Sequence, residues 1–128
     1  MILLDTCTLL WLAADQRKLS AHSKAQIKKN AGALYVSAIT AFEIALKHSK
    51  GRLALPLAPE AWLERAFAFH GVAEIPMDWR IAARSTRMAV PHADPCDRII
   101  LATAALHDLA VLTPDPLMKV CPDVRVEW

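Results

Sequence analysis

Residues 1–15, MILLDTCTLLWLAAD, set a pattern that the rest of the sequence repeats. A short apolar run ends at Asp5, and residues 6–14 follow with helix-compatible side chains. This predicts a buried strand that leads into a helix. Because apolar runs and segments of helical periodicity continue to alternate, we expect a mostly parallel sheet that helices cover on both faces.

Apolar, β-branched and aromatic runs predict five strands, and the last of them alternates like an edge strand. They lie at residues 1–4, 33–39, 72–76, 110–113 and 124–128. Six helices are predicted from helical spacing and terminal signals, with a loop over 91–95. They lie at residues 6–14, 20–30, 40–50, 59–70, 78–88 and 96–108. With no internal repeat or linker, we expect one α/β domain over residues 1–128.

The composition excludes several classes of protein. A chain of 128 residues with 55% hydrophobic content can bury a full core, and a net charge of +2 requires any nucleic-acid footprint to be local. Three cysteines without a paired ligand spacing argue against a disulfide framework and structural zinc. Apolar stretches too short for a bilayer, and an N-terminus without a basic signal-peptide region, predict a cytoplasmic protein.

Four acids, Asp5, Glu43, Asp97 and Asp115, each follow an apolar run or lie near the start of a predicted helix. Taken singly, each is explained by helix capping, and Glu43 stands three residues after a threonine, as in a capping box. Taken together, they converge where parallel strands end, and clustered carboxylates need a cation among them to stay ionised. Oxygen ligands favour Mg²⁺ or Mn²⁺, which indicates nuclease chemistry on a phosphodiester.

Four segments carry a resemblance to a known family. They are residues 2–11 (ILLDTCTLLW), 36–44 (VSAITAFEI), 94–104 (DPCDRIILATA) and 112–115 (LTPD). In this order they resemble the PIN-domain ribonucleases, and most of all the VapC toxins of prokaryotic toxin–antitoxin modules. The likeness covers nearly the whole chain, and it is the combination of the four short segments that is specific.

The resemblance implies a three-layer α/β/α sandwich and an Mg²⁺- or Mn²⁺-dependent endoribonuclease that cleaves RNA. It also implies an antitoxin partner and a homodimer. Carried over by motif, Asp5 and Asp97 are the principal metal ligands, and Glu43 and Asp115 complete the catalytic acidic pocket. Asp94 is a neighbouring acid of the same metal site.

Three further residues are candidates for substrate contact. Thr6 and Thr113 match small hydroxyl positions of the family, which could bond a ligand carboxylate or the scissile phosphate. Arg98 adjoins the acids and could contact substrate or form an ion pair with Asp94. The chain departs from the family pattern at Cys96, where a bulky aromatic residue is common, and at Pro114, and neither change removes an acid.

Three basic clusters could contact phosphates, with a solvated polar face as the plainer explanation. They comprise Lys47, His48, Lys50 and Arg52; Arg80, Arg84 and Arg87; and the basic residues between 17 and 29.

Two other classes of function remain open. A phosphatase or phosphoryl-transfer domain also uses a strand-end aspartate, but it needs a second acid two residues on, where this chain has Cys7. In a non-catalytic interaction domain the acids are only caps, and an apolar groove binds a partner. Four aromatic residues are candidates for such a groove, with core packing as the alternative: Trp11, Trp62, Phe67 and Phe69.

Overall fold

A computed structural model describes residues 1–91 and 93–128. Across these residues, five parallel strands form one sheet in the order β3-β2-β1-β4-β5. The strands are β1 (Ile2–Leu4), β2 (Leu34–Ser37), β3 (Val72–Ile75), β4 (Ala110–Leu112) and β5 (Val126–Glu127). The described helices are α1 (Thr6–Ala14), α2 (Ala21–Lys29), α3 (Ala38–Ser49), α4 (Pro59–His70), α5 (Trp79–Ser85), α6 (Pro95–His107) and α7 (Pro116–Lys119), with a 3₁₀ turn at Gln16–Lys18.

Strand β1 lies at the centre of the sheet, between β2 and β4. All three of its residues are buried, as expected for a strand that is covered on both faces. The chain builds outward from β1 to β3 on one side and then returns to β4 and β5 on the other. The strand order therefore reverses between β1 and β4, and ligands of open α/β sheets bind at the carboxyl ends of the strands beside such a reversal.

Each face of the sheet has its own apolar core. On one face, Leu3 packs with Ile81 of α5 and Ile100 of α6. On the other, Leu4 packs with Ile44 of α3 and with residues of α1 and α4. The predicted parallel sheet and the three-layer α/β/α arrangement are thus confirmed.

The junction between β2 and α3 differs from the prediction. The strand expected over 33–39 ends at Ser37, whose hydroxyl accepts a 3.2 Å hydrogen bond from the backbone N–H two residues on and caps α3. Helix α3 therefore begins at Ala38, and the prediction that Thr40 caps it in a capping box with Glu43 is wrong. Glu43 lies in the second turn of α3, beyond the capping positions.

The ends of other helices and strands differ from the prediction by a few residues. The helix predicted over 78–88 ends at Ser85, the helix predicted over 96–108 begins one residue earlier, and the last strand narrows from 124–128 to two residues. The loop predicted over 91–95 is described except at His92, which lies outside the described residues. Within the described ranges, no helix has the length and apolar character needed to cross a membrane.

Candidate active site

Three acidic side chains meet where α3 passes the N-terminus of α6. One carboxylate oxygen from each of Glu43, Asp94 and Asp97 lies within 4.8 Å of the other two. Asp94 caps α6 by accepting a 2.9 Å hydrogen bond from the N–H of Cys96, and Asp97 lies in the first turn of that helix. Because α3 and α6 cover opposite faces of the sheet, these acids converge beyond its edge. We call them the three-acid cluster.

Glu43 is held by a chain of threonine hydroxyls. Thr6 Oγ1 donates to Glu43 Oε1 at 2.6 Å and lies 3.1 Å from Thr40 Oγ1. A hydroxyl carries one proton, so Thr40 donates to Thr6 whenever Thr6 donates to Glu43. Thr40 is 0% exposed. Its hydroxyl therefore acts on Glu43 through Thr6, and not through solvent.

The carboxyl of Glu43 is difficult to ionise where it lies. Desolvation by burial raises its pKa, whereas the hydrogen bond from Thr6 and the ammonium of Lys47 lower it. The negative charges of Asp94 and Asp5 raise the pKa further. A divalent cation among these acids would relieve both the burial and the repulsion.

Asp5 follows β1 and is itself buried, at 6% exposure. Its Oδ1 accepts a 2.8 Å hydrogen bond from the N–H of Thr8 and thereby caps α1, and its Oδ2 accepts the hydroxyl of Thr113. Desolvation raises the pKa of Asp5 above the ordinary value, although these hydrogen bonds act in the opposite direction. The side chain is thus fixed beside the cluster as a buried acid.

Asp115 follows β4 and caps α7 through a 2.9 Å hydrogen bond from the N–H two residues on. Its own N–H donates to Thr113 Oγ1 at 3.1 Å, and the Thr113 hydroxyl donates to Asp5. Within residues 1–91 and 93–128, neither Asp5 nor Asp115 belongs to the three-acid cluster. Of the four predicted acids, Glu43 and Asp97 thus meet in the cluster with Asp94, whereas Asp5 caps α1 and Asp115 caps α7. The catalytic role of the four acids stays a prediction.

The two threonines predicted to contact substrate bond carboxylates instead. Thr6 is 5% exposed and Thr113 is 0% exposed, so neither hydroxyl faces solvent. Of the two roles that the sequence left open, the geometry supports the bond to a carboxylate.

Arg98 has a structural role, and its expected contact with substrate stays a prediction. Its guanidinium donates four hydrogen bonds of 2.9–3.3 Å to the carbonyl oxygens of Ser85, Thr86, Met88 and Val90. A planar guanidinium with five donors can satisfy several carbonyls at the end of a helix, which a sequence motif does not reveal. Arg98 thus fastens the segment after α5 to the first turn of α6.

The sequence did not predict that Thr40 takes part in the site or that Cys96 lies beside the three-acid cluster. Thr40 was interpreted as a cap, but its position three residues before Glu43 places both on one side of α3, which is the signal for its part in the site. Cys96 lies beside the cluster, and burial together with Glu43, Asp94 and Asp97 raises the pKa of its thiol to about 11. It is therefore protonated at neutral pH and is not a nucleophile.

Known proteins resemble the chain along nearly its whole length. The sequence model of the PIN domain matches residues 2–120. The chain is 33% identical over 121 residues to Ribonuclease VapC22 of Mycobacterium tuberculosis (strain ATCC 25618 / H37Rv), which covers 92% of this chain and 89% of that protein.

Solved structures share the fold. A DNA-bound VapBC from Salmonella typhimurium has a TM-score of 0.71 at 22% identity, over 98% of this chain and 96% of that one. A toxin–antitoxin complex from Klebsiella pneumoniae has a TM-score of 0.64 at 23% identity, over 97% of this chain and 95% of that one.

Proposed function

The chain belongs to the PIN domain family, and on that premise we propose that it is a divalent-cation-dependent endoribonuclease and the toxin of a toxin–antitoxin pair. The observation that carries the proposal is the approach of Glu43, Asp94 and Asp97 to within 4.8 Å at the carboxyl edge of a parallel sheet. A relative that covers 92% of the chain and is named a ribonuclease supports the choice of RNA as the substrate.

The donor set fits a hard cation. Three carboxylates offer only oxygen ligands, which suit Mg²⁺ or Mn²⁺ better than softer metals. Glu43, Asp94 and Asp97 would hold the ion, with Asp5 as a buried negative charge beside them and Asp115 at the same edge. Such a cation, when bound, supplies Lewis-acid chemistry that offsets the charge on a phosphodiester and lowers the pKa of an attacking water.

The chain's own residues prepare the site by fixing its acids. The Thr40–Thr6 chain orients Glu43, and Thr113 together with the N-terminus of α1 orients Asp5. The N-terminus of α6 directs its dipole at the other two acids and favours their ionised form. Groups held in this way need little rearrangement when charge develops on the substrate, which is the main source of electrostatic catalysis.

The two alternative functions, a phosphoryl-transfer domain and a non-catalytic interaction domain, explain fewer of the observed contacts. A phosphoryl-transfer mechanism needs an accessible nucleophilic aspartate, but both oxygens of Asp5 already accept hydrogen bonds inside the protein. The capping explanation is correct for Asp5, Asp94 and Asp115. It leaves Glu43 unexplained, and Glu43 is the residue that completes the cluster from the other side of the sheet.

An antitoxin is the proposed partner, in line with the VapBC and toxin–antitoxin complexes that share the fold. Trp11, Trp62 and Phe67 pack against the core, whereas Phe69 is 85% exposed at a groove between α1 and α4. An exposed aromatic ring beside a groove is a common protein-binding feature.

The homodimer remains a prediction. We propose the cytoplasm as the place of action, because the RNA is there and all three cysteines are free.

RNA cleavage tests the proposal. The parent protein should cut RNA with Mg²⁺ or Mn²⁺ and should not cut it in EDTA, and Asp5→Asn and Asp97→Asn should lose activity. Asp15→Asn is the matched control, since that acid lies at the far end of α1 and pairs with Arg17. Equal activity in all four proteins, or cleavage that persists in EDTA, would refute the assignment.

A further inference from the structure

A cleft of about 200 Å³ opens beside the three-acid cluster. Two acids, Glu43 and Asp94, and three basic residues, Lys47, Lys50 and Arg52, line it. Acidic and basic side chains thus share one cleft, and the basic residues follow Glu43 in the chain, at and beyond the end of α3.

The end of α3 brings these positive side chains together. Gly51 adopts a positive φ of 70°, its N–H donates to the carbonyl of His48 at 3.1 Å, and the N–H of Arg52 donates to the carbonyl of Lys47 at 2.9 Å. This pair of hydrogen bonds is a Schellman turn, which folds the chain back over the last turn of the helix. Arg52 is thereby held against the same helix end as Lys47 and Lys50.

The three basic residues are available to a ligand. All are exposed, and among the described residues none forms an ion pair with a carboxylate. Lys47 is near enough to Glu43 for its ammonium to lower the pKa of that carboxyl. Positive charges outside ion pairs can bind phosphates, and counterions are then released.

The other two basic clusters are placed differently. Arg84 pairs with Asp123 at 3.6 Å, and the guanidinium of Arg80 lies 4.6 Å from the ring centroid of Trp79. Lys24 and Lys28 of α2 line a separate pocket against α1. Of the three clusters found in the sequence, the one at the end of α3 shares a cleft with the acids.

We propose that this cleft binds the phosphate backbone of single-stranded RNA on one side of the scissile bond, through Lys47, Lys50 and Arg52. The inference rests on the proposed function, because it names where the substrate of that reaction lies. Exposed basic side chains along a groove are the usual means by which proteins follow the backbone of a single strand. Since phosphates are the same for every base, the cleft sets affinity and register and carries no sequence preference.

The test is binding of a fluorescein-labelled oligouridylate in EDTA, followed by anisotropy over a series of salt concentrations. Lys50→Gln/Arg52→Gln is compared with Lys24→Gln/Lys28→Gln, which removes the same charge from exposed positions on α2. We expect the cleft variant to bind more weakly and to lose about 1.4 from the slope of log affinity against log salt, at ~0.7 per contact. The α2 variant should retain the slope of the parent.

Equal slopes for the two variants would overturn the proposal, and so would a parent that does not bind the oligonucleotide. A cleft variant that keeps its affinity for RNA but loses binding to polyglutamate would assign the cleft to an acidic protein and also overturn it. The assay needs no catalysis. Intact RNA binding with no cleavage in Mg²⁺ would therefore refute the proposed nuclease and leave the cleft assignment standing.

Discussion

Thr113, just after β4, donates its hydroxyl proton to the carboxylate of Asp5, just after β1. The bond crosses the point where the strand order reverses, and it joins two acid-bearing junctions because the N–H of Asp115 donates to the same hydroxyl. Asp5 is consequently buried and fixed before any ligand arrives. A buried carboxylate held in this way lowers the stability of the fold when no cation is bound.

Asp5→Asn should stabilise the cation-free protein at neutral pH. Burial raises the pKa of Asp5 in the folded state above its value of 3.8, so the parent loses stability as pH rises through the range above that value. Asparagine is also a good helix cap and carries no charge. The free energy of unfolding in urea with EDTA should therefore be higher for Asp5→Asn near pH 7, and the difference should shrink towards pH 4.

Asp15→Asn is the control for this experiment. Its carboxyl is only partly buried, and the hydrogen bond from Arg17 lowers its pKa, so removal of its charge should bring no gain at neutral pH. If Asp5→Asn is less stable than the parent near pH 7, the buried carboxylate is a stabilising group and the argument from burial is wrong.

Thr40→Val should weaken metal binding although Thr40 touches no proposed ligand. The change removes the donor to Thr6 while it keeps the shape of the side chain, so Thr6 is no longer compelled to direct its proton at Glu43. We expect Mn²⁺ affinity to fall about 10- to 100-fold, as for other residues that orient a ligand, and Thr40→Ser to recover it. Calorimetric titration with Mn²⁺ measures both.

Thr103→Val provides the matched comparison. Thr103 is also fully buried in a helix, and its hydroxyl donates to the carbonyl of Ile99 at 2.7 Å within α6. Both valine variants should lose about 1 kcal/mol of stability, but only Thr40→Val should lose affinity for Mn²⁺. The same change of affinity in both proteins would mean that the Thr40–Thr6 chain does not position Glu43.

Arg98→Lys should destabilise the fold. An ammonium cannot reproduce the fork that donates to four carbonyls around the end of α5, so the free energy of unfolding should fall by roughly 2 kcal/mol. Arg87→Gln, an exposed charge on the same segment, should have little effect. Chemical denaturation gives both values. Unchanged stability of Arg98→Lys together with weaker RNA binding would restore the original expectation that Arg98 contacts the substrate.

Most helices and strands could be predicted from the sequence because clear start and end signals flank them. Asp5 follows an apolar run and Gly71 follows a helical one, and in the structure they cap α1 and end α4. Thr40 was predicted to cap α3, but Ser37 caps it. Serine and threonine both cap helices well, so the choice depends on whether a loop separates the strand from the helix. No loop lies between β2 and α3.

The sequence also could not predict which acids would lie closest together. Asp5 and Asp115 lie after strands and Asp97 lies in the first turn of α6, whereas Glu43 lies in the second turn of α3. Which of these acids approach one another depends on how α3 crosses α6. That crossing brings Asp94 to Glu43 and leaves Asp115 at the cap of α7. The direction of Arg98 is equally a tertiary property, since its acceptors are backbone carbonyls that have no sequence signature.

Electron paramagnetic resonance of a Mn²⁺ titration measures whether Glu43, Asp94 and Asp97 together hold a divalent cation. The parent and Asp123→Asn, an exposed acid that pairs with Arg84, should bind Mn²⁺ alike. Glu43→Gln and Asp97→Asn should bind it at least 10-fold more weakly, because each loses one of three ligands. Equal binding by the parent and by both cluster variants would mean that these acids do not hold the cation.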